Sequence, residues 1–208
     1  MKIKKLLALA LSAVMAVGVL TACGGGGGSS VSGSLSNNEV NRLLKSVGSG
    51  ITVENDTKLN NAVRSAASEI TSSGSTSSVQ STISSNMKWS ISSNISNAIK
   101  NFISSGGLMG IDMSYGSTYV IEENQLKTNT SAGGIWSSVD NISSLEPINT
   151  PEKFAAAMVL VEESKNGWIS SATNNVVRFT YNVSASKAKT SDGTVYWVFA
   201  AQVNVHLL

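Results

Sequence analysis

The chain has 208 residues, with 15 Lys and Arg against 13 Asp and Glu, one His and one Cys. A single Cys excludes an intramolecular disulfide and any Cys-based zinc centre, so the core must stand on packing alone. Charged residues are sparse, and Ser, Thr and Asn take over the solvating role.

Met1 to Gly28 reads as an address. Lys2, Lys4 and Lys5 form a positive start, and Leu6 to Leu20 is an apolar run with no charge. This is the pattern of a secretory signal peptide. The run is shorter than the ~20 residues that a spanning helix needs. Leu20-Thr21-Ala22-Cys23 resembles the lipobox of bacterial lipoproteins. That resemblance implies a diacylglyceryl group on the Cys23 thiol, cleavage after Ala22 and further acylation of the new amino terminus, palmitate included. Two or three acyl chains hold a protein at a membrane where one does not.

Removal of residues 1–22 takes away three lysines and lowers the basic count from 15 to 12, against 13 acidic residues. The mature chain is therefore near neutral. No basic excess remains to argue for nucleic acid or for electrostatic membrane binding. Gly24 to Gly28 and the Ser/Gly run to Ser36 are flexible tether, within residues 23–36. Residues 37–208 have the length of one domain.

Asn37 to Val47 places Val40, Leu43, Leu44 and Val47 on one face of a helix, with Ser36 or Asn37 as cap and Gly48 as stop. Ile51-Thr52-Val53 reads as a short link. Asp56 or Thr57 caps a second helix, striped by Leu59, Val63, Ala66 and Ile70. Thr71 to Ser78 reads as a loop. Met87 to Ile103 is expected to form a third helix, with Ile91, Ile95, Ala98, Ile99 and Phe102 on one side and Gly106-Gly107 ending it. The period then becomes two. Ile111, Met113 and Tyr115 alternate with polar residues, as do Tyr119 and Ile121, and Gly116-Ser117 between them suits a hairpin turn.

Gln125 to Leu145 has no clear period and reads as a long irregular connection. Thr150-Pro151-Glu152 opens the best-marked helix, with Phe154, Ala155, Met158, Val159 and Val161 on its buried side and an end expected near Lys165-Asn166-Gly167. Val177 to Val183 and Val195 to Val205 alternate strongly about Asp192-Gly193, a long antiparallel hairpin whose second strand is apolar enough to be central.

Helices packed on an antiparallel sheet make an α+β fold. Asn41-Arg42, followed by Leu59 to Ile70, resembles the opening helices of bacterial CAP-superfamily (SCP) domains, relatives of cysteine-rich secretory and pathogenesis-related proteins. Thr150 to Ser164 resembles the helix before that family's Ser-Pro-Gly-His turn, and Gly193 to Val203 its closing strand. The resemblance implies a three-layer α/β/α sandwich. The family's cleft carries two His and two acidic residues and can bind a metal. Here the single His206 sits near the C-terminus, and Gly167 falls where the turn His would stand. The resemblance is therefore to a version without metal ligands or cofactor.

Glu123 and Glu163 are the carboxylates that could serve acid/base work, each beside a second carboxylate, Glu122 or Glu162. Trp136 and Trp168 are the aromatic candidates for a ligand groove. A triad would have to use His206, which reads better as a surface residue on a strand. The expectation is a non-enzymatic, lipid-anchored module on the extracytoplasmic face of a membrane, binding an envelope or protein ligand. The alternatives are a hydrolase acting on envelope or secreted substrates through Glu123 and Glu163, and a purely structural surface lipoprotein.

Overall fold

A computed structural model describes residues 33–90, 111–129, 139, 141–172 and 177–207, with backbone alone for 111, 112, 167–172 and 207. Helices α1 (Asn37–Ser46), α2 (Thr57–Ser73), α3 (Val79–Met87), α4 (Glu123–Thr128) and α5 (Pro151–Ala172) accompany strands β1 (Val53–Glu54), β2 (Ile111–Glu122), β3 (Val177–Lys189) and β4 (Val195–Leu207). A 3₁₀ turn, Ile142–Leu145, precedes α5. The fold class is α+β.

The sheet runs β1-β3-β4-β2. β4 is central, antiparallel to β3 and to β2 along its whole length. The sheet is mixed and not purely antiparallel, because Val53 and Glu54 pair in parallel with Tyr181 and Asn182. The expected link at Ile51-Thr52-Val53 thus ends in a strand. Asn41 fixes it there: its side-chain oxygen accepts from the Val53 N–H at 2.8 Å, and its Nδ2 donates to the Val53 carbonyl at 3.0 Å.

Alternation on β4 divides the core. Trp197, Phe199, Ala201, Val203 and Val205 join α1 and α5 in one apolar cluster. Val198 and Ala200 join α2 and α3 in another. Successive strand residues point to opposite faces, so each face of the sheet has its own core. Phe154 of α5 stacks on Phe199 with ring centroids 4.5 Å apart, and Tyr119 meets Phe154 edge-on at 5.9 Å.

Local chemistry sets the helix ends. The Asp56 carboxylate accepts from the N–H groups of Lys58 and Leu59, satisfying donors that an α-helix leaves open. Ser36 does the same for Glu39. The second helix runs three residues further than its stripe suggested, to Ser73, and stops at left-handed Gly74. A separate helix, α3, occupies Val79–Met87 and stops at left-handed Lys88. The helix expected over Met87 to Ile103 lies almost wholly outside the described residues. Thr150 caps α5 as expected, but α5 continues through Gly167 to Ala172. Within the expected irregular connection, α4 and the 3₁₀ turn are ordered elements.

Gly116-Ser117 is not a turn. β2 passes straight through it, with Gly116 opposite Gln202 and Ser117 opposite Ala201. A Cβ at Gly116 would lie 2.5 Å from indole carbons of Trp89 and would also collide with the Ala201 carbonyl. The glycine is there to admit another group. The predicted hairpin of β3 and β4 is present, turning at Gly193 with φ of 90°.

The chain engages the fold before residue 37. Ser34 bridges Ser186, and Gly33 lies against Lys187 and Trp197.

Candidate functional site

Glu123 opens α4. It accepts from Lys187 Nζ at 2.7 Å and pairs with Lys127 at 3.4 Å. The hydrogen bond from Lys187 holds its carboxyl below the ordinary carboxylate range. Lys187 also stands over the Trp197 ring, 4.9 Å from the centroid. These contacts make Glu123 the anchor of a local ionic cluster.

Glu163 sits on α5 and accepts from Ser49 Oγ at 3.2 Å. Its charge acts on Tyr181. Tyr181 stands opposite Val203, whereas Lys187 stands opposite Trp197. Six strand residues separate these levels, about 20 Å. The two carboxylates are therefore held by different partners, beside different levels of β3. Trp136 and Cys23 lie outside the described residues, and of Trp168 only the helical backbone is described.

The neighbour Glu162 is buried at 2% exposure. Lys165 Nζ reaches it from the solvent side at 2.9 Å. Beside it, Tyr115 of β2 donates its hydroxyl to Asn166 Oδ1, and Tyr181 of β3 flanks the same amide. Asn166 is 4% exposed, and among the described residues its Nδ2 has no hydrogen-bond partner. Burial pushes the Tyr115 hydroxyl well above the ordinary phenol range and Tyr181 up to about 12; the Glu162 charge adds to both shifts. The signal of this cluster in the sequence was weak, because Tyr115 and Tyr181 converge only through the register of β2, β4 and β3.

On the other sheet face, His206 Nε2 is 3.3 Å from Thr180 Oγ1. Asn204 Nδ2 donates to Asn182 at 2.8 Å, Gln202 Nε2 donates to Asn204 at 2.6 Å, and Trp89 Nε1 donates to Gln202 at 3.2 Å. His206 thus belongs to a partly buried polar network across the sheet. Among the described residues, no group of three or more His, Cys, Asp or Glu is placed to hold a metal ion. No helix among them is long and apolar enough to cross a membrane.

A solvent-open groove of about 440 Å³ runs along the outer side of α1, lined by Asn38, Asn41, Arg42, Lys45 and residues 49–52. Asn38, Asn41, Arg42 and Lys45 recur at helical spacing, opposite the buried Val40, Leu43 and Leu44. The facing wall is tied down. The Ser49 N–H donates to the Leu44 carbonyl, Ser49 Oγ accepts from the Ile51 N–H and donates to Glu163, and Asn41 clamps Val53.

The molecule so defined is an α+β domain with a mixed four-stranded sheet, apolar cores on both sheet faces and a polar surface groove beside α1. Comparison of the chain with protein-family models, with curated proteins and with solved structures finds no match.

Proposed function

We propose that the protein is a lipid-anchored binding module on the extracytoplasmic face of a membrane, and that its domain is a three-layer α/β/α sandwich of CAP type without the metal-binding cleft. The observation that carries the binding reading is the separation of Glu123 from Glu163. Acid/base hydrolysis by two carboxylates needs both groups at one substrate bond. Here each is engaged by its own partner, Lys187 for Glu123 and Ser49 for Glu163, and Lys187 lies six residues along β3 from Tyr181, the strand residue that the Glu163 charge reaches. The groove beside α1 offers recognition without that chemistry.

The architecture rests on the resemblance and on the division of helices, α1 and α5 with one core and α2 and α3 with the other. The anchor rests on the Leu20-Thr21-Ala22-Cys23 motif and the Gly/Ser run that follows it. Gly33, at the start of the described residues, lies against Lys187 and Trp197.

Metabolic labelling with a fatty acid tests the anchor. The natural chain is expected to take up label and to sediment with membranes; Cys23→Ala is expected to do neither. Labelling of the Cys23→Ala variant at the natural level would sink the proposal.

A further inference from the structure

We propose that the turn joining β3 to β4, with α4 beside it, is the end of the domain that faces the lipid surface, and that the Val177 end of the sheet points away from it. This deepens the lipid-anchored reading and rests on it. It does not depend on any ligand.

The direction of the chain carries the argument. Ser34 bridges Ser186 in antiparallel sense, on the edge of β3 that β4 leaves open. Read backwards from Ser34 to Gly33, the backbone advances along β3 from Ser186 toward Lys187, and Gly33 lies against the Lys187 and Trp197 side chains. Further in that sense, β3 ends at Lys189 and the chain turns at Gly193. The route toward Cys23 therefore leaves the described residues heading for the turn.

The contact at Gly33 is a fitted one. A Cβ there would come within 2.9 Å of both Lys187 Cγ and the Trp197 ring. Side chains do not tolerate so close an approach, and a glycine admits it. Lys187 is itself held, by Glu123 at 2.7 Å and over the Trp197 ring. Leu35 packs against the core that α1 and α5 share. The chain thus enters the domain at a fixed place and does not swing about it.

Length decides which end reaches the lipid. Ten residue steps separate Cys23 from Gly33. Ten steps span at most about 35 Å, and a Gly/Ser chain of that length has a typical end-to-end distance of about 17 Å. The turn begins just beyond Lys189, whereas Val177 lies ten residues back from Lys187 along β3, about 33 Å. Setting the Val177 end on the lipid would require the chain to reverse at Gly33 and stay fully extended. Setting the turn there requires neither.

The turn end suits a headgroup surface. Asn124, Gln125, Thr128, Ser191 and Asp192 are exposed there, and Leu126 is buried. Among the described residues of α4 and the turn, no exposed side chain is apolar, so none inserts among acyl chains. Lys127 is paired with Glu123, and the Asp192 carboxylate accepts from Thr190 and Thr194. The short tether, and not charge, sets the approach.

The test uses the full acylated chain in phosphatidylcholine vesicles with an acceptor dye on their headgroups. A donor dye is attached through Ser191→Cys in the turn or Arg178→Cys near the other end of β3, both exposed positions. Acylation occupies Cys23, so each variant has one free thiol, and circular dichroism checks that the fold persists. Energy transfer is expected to be several-fold greater from position 191 than from position 178, and unchanged by added salt. Lengthening the Gly/Ser run threefold after Ser30 should bring the two positions close to equality. Equal transfer from both, or more from position 178, in a natural-length chain that sediments with the vesicles overturns the orientation and leaves the anchor standing. A contrast that survives the longer run, or that salt abolishes, overturns the tether as its cause. Transfer from neither position, with the chain free of the vesicles, overturns the anchor and the orientation with it.

Discussion

Gly116 lies directly beneath the indole of Trp89, so close that no side chain fits between the ring and the strand. The indole then donates to Gln202 on β4, the partner of Gly116 in the sheet. One missing Cβ therefore lets a tryptophan cap the edge strand. Gly116→Ala is expected to push the ring away and strain the β2–β4 pairing, at a cost of about 3 kcal/mol. Urea denaturation measures it. A variant as stable as the natural chain would show that Trp89 relocates freely.

The clamp between Asn41 and Val53 joins α1 to the short parallel strand. Asn41→Ala removes both hydrogen bonds and leaves the buried Val53 amide without its partner, costing about 1–3 kcal/mol. Hydrogen exchange at Val53 should accelerate more than at any amide of β4. Uniform acceleration would mean that β1 opens only with the whole domain.

Tyr181, buried, and Tyr115, partly buried, predict alkaline sensitivity. A phenol whose folded pKa is raised is stable in the fold below its unfolded value near 10, and that stability is lost as pH rises toward the folded value. For Tyr181 the window runs from about 10 to about 12. The loss is on the order of 2 kcal/mol. Tyr181→Phe should flatten the fall in urea midpoint across this window. An unchanged slope would place the alkaline transition elsewhere.

Glu123 predicts the opposite limb. Its carboxyl is held low by the bond from Lys187, so its contribution is present above the unfolded value near 4.5 and is lost as pH falls through the depressed folded one. Glu123→Gln should cost about 1 kcal/mol at neutral pH and weaken the acid dependence. If the loss is the same at every pH, the ion pair is not its cause.

Much of this architecture is legible locally. Ser36, Asp56 and Thr150 announce helix starts because their side-chain oxygens can satisfy open backbone donors, and all three helices begin there. The stripes of α1 and α2 are the buried faces. The alternation of β3 and β4 about Gly193 is a hairpin, and β4 is central as its composition suggested. What was misread had a non-local cause. Gly116-Ser117 carries the local signature of a turn, and only the approach of Trp89 explains why the strand stays extended. Gly167 looks like a helix stop, yet α5 runs on to Ala172. Glu162 and Glu163 are adjacent in sequence, yet the two project differently from one helix and only Glu162 is buried.

The sequence by itself determined the helix caps, the stripes and the final hairpin, because each depends on spacing within a few residues. Only the tertiary structure decided that β1 joins in parallel, that Glu123 and Glu163 stand apart, that Tyr115 and Tyr181 meet over Asn166, and that Arg42 and Lys45 face a groove. Those relationships are set by strand register and by side chains far apart in the chain, which no local period records.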